Sequence, residues 1–274
     1  MTTAEAYEFE SIRYFRYGYS PIGKPTMLTH IFYVDGLLID TGQNRAEKEI
    51  LDTVRQLSID QLFITHHHED HTGNIAPIVN QHKCPAYASS RCCELMKSPP
   101  PISLAQKLVW GDRPTFQRLL PINRQIETAN HVFKLIEIPG HAEDMVALYE
   151  PERKWLFSAD LYVNSYIGYF LKNESILQQI DSIKQILELD FNVLLCSHNP
   201  QLTDGRKKLQ SKLRYLEKFY HDVILLYEKG YNIKDIYKQL NLKEHGYVYL
   251  LSHGQLSKKN MVRSAIRDFD NISS

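Results

Sequence analysis

Cysteine is scarce in this chain: its 274 residues include four, Cys84, Cys92, Cys93 and Cys196. Their spacing fits neither a disulfide framework nor a zinc knuckle, so a reducing, cytoplasmic setting is expected. The vicinal pair and Cys196 read as small buried apolar side chains, not nucleophiles. Long apolar runs are missing as well. None approaches the ~18–20 residues a membrane span needs, so no membrane partner is expected. Met1 to Glu10 is acidic and lacks an apolar stretch, which sets it apart from a secretory signal. Net charge is absent too, because 32 Lys and Arg balance 32 Asp and Glu. The whole-chain balance therefore singles out no partner. With 43% hydrophobic and 23% charged residues, wholesale disorder and fibrous repeats are excluded. The length allows one large domain or two modest ones, with a core that needs no disulfide staples.

What is present is order. His30–Val34 and Leu37–Asp40 flank Asp35-Gly36, a strong hairpin signal. Across Arg45–Leu57, Ala46, Ile50, Leu51, Val54 and Leu57 recur at helical spacing. Leu62–Thr65 reads as a short buried strand that ends at a histidine cluster. A helix is expected over Gly73–Gln81. Strands are expected over Ala86–Ala88, Val132–Ile138, Met145–Tyr149, Trp155–Ser158 and Val193–Ser197. Ile176–Leu189 places Ile176, Ile180, Ile183 and Leu187 on one helical face. Ser98–Pro114 has four prolines and no clear period, and reads as an insertion loop. After Asp204-Gly205 the pattern changes. Leu209, Leu213, Leu216, Phe219, Val223 and Leu226 step by three or four, Gly230 can end that helix, and Asn232 and Ser257 can cap two more. The expected organisation is a sheet core covered by helices over residues 1–204 and a helical C-terminal domain over residues 205–274.

Twelve histidines are present, and their placement carries the chemistry. Thr65 to His71 reads Thr-His-His-His-Glu-Asp-His and contains His66-x-His68-x-Asp70-His71. Three imidazoles and a carboxylate directly after a buried strand put several ligands into one loop, where their side chains can converge. Neutral imidazole suits zinc, and carboxylates can join or bridge metals. His67 and Glu69 alternate with the ligands and are expected to point elsewhere. His30, His82, His131, His221, His245 and His253 have no partner motif and are read as ordinary polar residues.

This string resembles the metallo-β-lactamase superfamily signature, and the remaining motifs follow in that family's order. Leu38-Ile39-Asp40-Thr41-Gly42 resembles the first, Pro139-Gly140-His141 the third, Phe157-Ser158-Ala159-Asp160 the fourth and Cys196-Ser197-His198 the fifth. The resemblance covers about residues 10–200. It implies an α+β fold: a four-layer αββα sandwich with the metals at one edge between the sheets, here with a C-terminal helical domain. One metal would be held by His66, His68 and His141, and the other by Asp70, His71 and His198. Asp160 would bridge them, and Asp40 would support the metal loop without coordinating. Two Zn²⁺ per subunit are the implied cofactors, with iron or manganese compatible with the same donors.

The implied enzyme is a hydrolase. A pair of zinc-class ions lowers the pKa of bound water to around 7, and the hydroxide attacks an ester, thioester or lactone. Asp70 and Asp160, coordinating first, can also accept a proton. By the same resemblance, true zinc β-lactamases usually lack an aspartate at the bridging position, so Asp160 points to the glyoxalase II, ribonuclease and phosphodiesterase branches. Flavodiiron proteins replace the second histidine by an acid, whereas His68 is retained here. Glyoxalase II typically continues its third motif with Thr and a Gly-His pair. Here Ala142-Glu143-Asp144 follows, which argues against glutathione thioesters. The helical tail is similar to that of the β-lactamase-like protein 2 group, which includes endoribonucleases. An endoribonuclease or phosphodiesterase on the same centre stays open beside the ester hydrolase. So does a mononuclear-iron oxidoreductase of the persulfide dioxygenase type.

Substrate contacts are sought among aromatic and basic positions. Tyr17 precedes an early loop that borders the site in this family, and Tyr162 and Tyr166 follow the bridging aspartate. All three are candidates for substrate contact, with packing as the alternative. Residues 205–274 contain 14 Lys and Arg against 7 Asp and Glu, while the first 204 residues contain 18 against 25. The neutral total thus hides two opposite halves. Lys258, Lys259 and Arg263 are candidates for drawing in an anionic small molecule, such as a CoA-like thioester, or a nucleic-acid strand. The alternative is that they are solvated faces of amphipathic helices. A homodimer is compatible with the sequence.

Overall fold

Asp35 and Gly36 both have positive φ, 48° and 83°, the conformation a two-residue hairpin loop requires. They turn β3 (Leu28–Val34) into β4 (Leu37–Ile39), with Phe32 opposite Ile39. The computed structural model describes residues 1–274 apart from Ile22, Thr26, His245, Tyr247, Val248, Leu250, Leu251, His253 and Ser274, and the side chains of Ala105 and Ser273. The readings of His245 and His253 lie outside the described residues.

A seven-stranded sheet grows around this hairpin in the order β1-β2-β3-β4-β5-β6-β7. Its first two strands are β1 (Thr2–Phe9) and β2 (Ile12–Tyr19), its last three β5 (Gln61–Ile64), β6 (Ala86–Ala88) and β7 (Leu120–Pro121). Pairing is antiparallel as far as β4 and parallel beyond it. The second sheet comprises β8 (Gln125–Glu127), β9 (Val132–Glu137), β10 (Val146–Glu150), β11 (Trp155–Ala159) and β12 (Val193–Cys196), in the order β12-β11-β10-β9-β8. The two inner faces meet through Ile12, Phe32, Phe63, Phe133, Leu148, Trp155 and Phe157.

Helices close both outer faces. The first sheet is covered by α1 (Glu47–Val54), α3 (Ile75–His82) and α4 (Ser90–Lys97), which bury Ile50, Val54, Ile78 and Met96. The turn α2 (Glu69–Thr72) precedes α3, and α5 (Leu104–Val109) follows α4. On the second sheet lie α6 (Ile176–Leu187), α7 (Gly205–Glu228), α8 (Ile233–Gln239) and α9 (Lys258–Ser273). Leu209, Leu216, Phe219, Val223, Ile236, Met261, Val262 and Ala265 from the last three helices share one apolar cluster with Ile176, Ile180 and Ile183 of α6 and Leu156 and Leu194 of the sheet. Each Leu, Ile, Val, Phe or Met side chain among them contributes roughly 1.5–3 kcal/mol on full burial, so α7, α8, α9 and the second sheet stabilise one another. The result is a four-layer αββα sandwich of the α+β class. Among the described residues no helix is long and apolar enough to cross a membrane.

Two segments depart from the sequence reading. Ser98–Pro114 is not wholly a loop: Ser103 and Gln106 form a capping box that starts α5, which ends at the buried Trp110. The strands β1 and β2 form an edge hairpin where the sequence pattern announces no strand.

Candidate metal centre

The histidine loop is built from its strand outward. Where β5 ends, the Thr65 N–H donates to Asp40 Oδ1 (2.9 Å), and the Thr65 hydroxyl lies 2.9 Å from Asp40 Oδ2. Thr65 O accepts from the Val146 N–H of the second sheet (3.0 Å), which ties the loop across the sandwich. The Thr72 hydroxyl donates to His68 O (2.8 Å) and that of Thr41 to His71 O (2.7 Å), fixing the α2 turn. Gly73 is needed there, because a Cβ would stand 2.4 Å from Asn44 N. The second sheet supplies the other residues. Gly140, with φ +129° and no room for a Cβ against Gln179 N (2.5 Å), lets the chain leave β9 and present His141. A register shift and a positive φ at Ala159 (45°) end β11 and aim Asp160. His198 follows β12.

Two ligand-competent groups result. One is His66, His68 and His141; the other is Asp70, His71, Asp160 and His198. In each, the donor atoms all lie within 4.8 Å of one another. His141 Nε2 is 3.0 Å from His68 Nδ1. Asp160 Oδ2 stands 3.4 Å from His141 Nε2 and 3.1 Å from His198 Nε2, and its Oδ1 is 3.5 Å from His71 Nε2. One carboxylate therefore touches both groups. Asp70 Oδ2 is 3.3 Å from His198 Nε2 and accepts at 3.4 Å from the Thr29 hydroxyl.

The remaining ring nitrogens are spoken for. His71 Nδ1 donates to Asp40 Oδ2 (2.7 Å), His198 Nδ1 to Leu28 O (2.7 Å) and His141 Nδ1 to Glu174 Oε2 (3.3 Å). His66 Nδ1 contacts the Thr65 hydroxyl at 3.1 Å. These partners leave Nε2 of His66, His71, His141 and His198 facing the cluster, whereas His68 turns its Nδ1 toward His141. His66 Nε2, His71 Nε2 and Asp160 Oδ1 are buried without a hydrogen-bond partner. Orphaned buried polar atoms of this kind are costly unless something binds them, and imidazole and carboxylate donors fit metal ions of the zinc class.

Electrostatics agree with that fit. Burial, then neighbouring imidazoles, hold His66 and His68 well below the ordinary histidine pKa. Burial also opposes the charged form of His71 and His198, but the carboxylates outweigh it. Asp40, Asp160 and Asp70 raise His71 well above the usual value, and Asp160 and Asp70 do the same for His198. Burial likewise opposes ionisation of Asp160, yet His198 and His71 hold its pKa well below the carboxylate range. The second group thus demands positive charge.

His67 and Glu69 point away from both groups. Asp144 accepts from His67 N (2.8 Å) and Nδ1 (2.7 Å), while Glu69 accepts from Gln106 (2.9 Å) and lies 3.7 Å from Arg113. The substrate candidates are not gathered here. Tyr17 packs beneath α1 with Phe15 and Ile31. Strand alternation sends Ile12 and Tyr14 to the inner face and Tyr17 to the helix-covered one. Tyr162 is buried in the core of the second sheet, with its hydroxyl 3.2 Å from Ser165 Oγ. Tyr166 is 73% exposed and packs edge-on against Tyr215. Lys258 is half-buried, and its Nζ donates to Ile167 O and Tyr215 Oη, both at 3.1 Å. It is a structural tie rather than a free charge. Lys259 lies over the Tyr237 ring, and Arg263 donates to Asn260 Oδ1 (3.1 Å).

Three residues near the groups escape the sequence reading. Glu174 is the partner of His141. Trp110 packs 6.2 Å from the His198 ring, centroid to centroid. Lys212 is 2% exposed and donates to Leu161 O at 2.6 Å, directly after Asp160. Burial pulls its pKa down to about 8. Its signal is present in the sequence, since residue 212 falls on the stripe Leu209, Leu216, Phe219, Val223 that the helix buries.

The chain is similar to known proteins in sequence and fold. The profile of the metallo-beta-lactamase superfamily matches residues 31–198. The chain is 26% identical over 201 residues to the hydroxyacylglutathione hydrolase of Serratia proteamaculans (strain 568), covering 71% of this chain and 70% of that protein. A metallo-beta-lactamase from Pontibacter korlensis superposes with a TM-score of 0.61 at 18% identity, covering 78% of this chain and 99% of that one. A metallo-beta-lactamase family protein from Thermus thermophilus does so with a TM-score of 0.63 at 17% identity, covering 80% and 83%. These two likenesses concern the fold alone. The profile match spans most of the chain and every ligand-competent residue, and the chain accordingly belongs to the metallo-beta-lactamase superfamily, as a hydrolase.

Proposed function

We propose that this hydrolase uses two zinc-class ions, one held by His66, His68 and His141 and the other by Asp70, His71 and His198, with Asp160 shared between them. The observation that carries the reading is the position of Asp160, whose two oxygens reach His141, His198 and His71 at 3.1–3.5 Å. When bound, such ions supply water acidified toward neutral pKa and an electrophile for the developing oxyanion. The chain's own residues orient and hold. Asp40, Glu174, Thr65 and the Leu28 carbonyl orient His71, His141, His66 and His198, so that each of these four imidazoles presents Nε2 inward. Asp70 and Asp160 hold the ions first and are also the carboxylates that would take a proton during turnover. Trp110 packs beside the His198 ring, 6.2 Å between centroids.

The substrate is an ester-class carbonyl compound, with thioesters first, because the similar Serratia protein is named for thioester chemistry. The Ala142-Glu143-Asp144 segment favours a thiol portion other than glutathione. In this chain Asp144 braces His67 and Glu143 pairs with Arg91 (3.0 Å). A screen of zinc-loaded protein against oxyesters, glutathione and CoA thioesters, lactones and phosphodiesters tests the reading, with Asp160→Ala as control. Thioester or ester turnover that disappears in the control is expected. Turnover confined to RNA or other phosphodiesters would overturn the carbonyl assignment.

A further inference from the structure

Residues 167–177 run from the Asp160 loop to the first turn of α6 and carry Glu174. Its carboxylate accepts from Leu171 N (2.7 Å), Gln179 Nε2 (2.8 Å) and His141 Nδ1 (3.3 Å). The backbone of this segment is stitched to α9. Phe170 and Ser257 exchange both backbone hydrogen bonds (3.2 and 3.1 Å). Asn260 Nδ2 donates to Phe170 O (3.0 Å). The Ser264 hydroxyl donates to Glu174 O (2.9 Å) and accepts from Ile176 N (2.9 Å). Arg267 donates to Glu174 O (2.7 Å), and Asp268 Oδ2 accepts from Ser175 Oγ (2.7 Å) and Leu177 N (3.1 Å).

Asn260, Ser264 and Asp268 are four residues apart, so they form one row along the helix. All three are buried, beside the apolar Met261, Val262 and Ala265. A helix needed only to cover a sheet would carry apolar residues in that row, because buried polar groups cost free energy unless satisfied. Here each one is satisfied by the segment that carries Glu174. A carboxylate fixed on the far nitrogen of a ligating histidine sets the ring's tautomer and orientation.

We propose that α9 is a working part of the metal site: Ser264 and Asp268 position Glu174, and Glu174 positions His141 for the ion at the three-histidine group. This rests on the two-ion reading above. Ser264 and Glu174 are 90 residues apart in sequence, so the C-terminal helix sets the occupancy of a site formed by residues 66–141.

The test is zinc binding by stripped protein, read by competition with a chromogenic chelator. The wild type, Glu174→Gln, Ser264→Ala and the double variant Ser264→Ala/Asp268→Ala are compared. Melting of the metal-free proteins and the visible spectrum of cobalt-loaded protein are recorded alongside. Glu174→Gln should weaken one ion about 10–100-fold and leave the other within about twofold. The cobalt spectrum should change at one site only. The double variant should weaken the same ion, and Ser264→Ala carries the test if the double variant does not fold. Wild-type binding of both ions in Glu174→Gln and Ser264→Ala overturns the proposal, as does equal weakening of both ions with early melting. Wild-type protein that takes up fewer than two ions would instead remove the reading on which the proposal rests, and the proposal with it.

Discussion

Replacing Asp40 by asparagine asks how the metal loop orients its ligands. Asp40 is buried and uses both oxygens: Oδ1 accepts from Thr65 N at 2.9 Å and Oδ2 from His71 Nδ1 at 2.7 Å. Asparagine has the same shape and tolerates the positive φ of this residue, 63°. It has only one acceptor oxygen, however. With that oxygen toward Thr65, its NH₂ faces the His71 Nδ1–H; with the oxygen toward His71, the NH₂ faces the Thr65 N–H. Either choice sets donor against donor, at about 1–3 kcal/mol for the unsatisfied buried group. The cheaper escape is for His71 to carry its proton on Nε2 and accept through Nδ1. That proton then occupies the nitrogen assigned to the metal. The ion at Asp70, His71 and His198 should bind about 10–100-fold more weakly, or ~1.4–2.8 kcal/mol. Chelator competition on Asp40→Asn, with circular dichroism to verify the fold, measures this. Two ions bound with wild-type affinity would refute the orientation argument.

Other outcomes follow from the same geometry. Asp70→Ala and His198→Ala should each abolish turnover while leaving the fold largely intact, and activity retained in either would rule out the two-ion mechanism. β-Lactam hydrolysis should not be the strongest activity, because Asp160 occupies the position between the groups; efficient penicillin or carbapenem turnover would contradict that. Lys212 goes from an ordinary pKa of 10.5 to about 8, so between those values the unfolded chain holds a proton the native one has lost, and stability rises with pH. Urea unfolding of metal-free wild type minus Lys212→Met should show this slope from pH 8 to 10.5, and a flat difference would refute it. Because carboxylates raise the pKa of His71 and His198, zinc uptake near neutral pH should release protons. Calorimetry in two buffers of different ionisation enthalpy detects that release, and a buffer-independent heat would argue against it.

The residues of the two ligand-competent groups stand out in sequence because four of them fall within six positions after a buried strand, and the others follow the order of the family motifs. The hairpin at Asp35-Gly36 and the strand Ala86–Ala88 are legible from local turn chemistry and pattern. What escapes depends on contacts between distant positions. Thr2–Phe9 contains Ala4, Glu5, Ala6 and Glu8, poor strand formers, and is a strand because β2 pairs with it along its whole length. Leu104–Val109 is too short to display a helical period. Tyr17 and Tyr14 look alike in sequence, and only their parity along β2 separates the two faces. Glu174 is an isolated acid in an irregular segment, and its meaning comes from a histidine 33 residues earlier and a helix 90 residues later. Lys258 reads as an available charge because sequence does not reveal which carbonyls surround an ammonium group.

Metal content is the decisive measurement for the two-ion centre. The protein is loaded with zinc, dialysed against metal-free buffer and analysed for every transition metal together with amino-acid quantification. Two equivalents per chain are expected for the wild type and fewer for Asp160→Ala, whose missing carboxylate reaches both groups at 3.1–3.5 Å. A fully loaded wild-type preparation that retains at most one equivalent of any transition metal would contradict it.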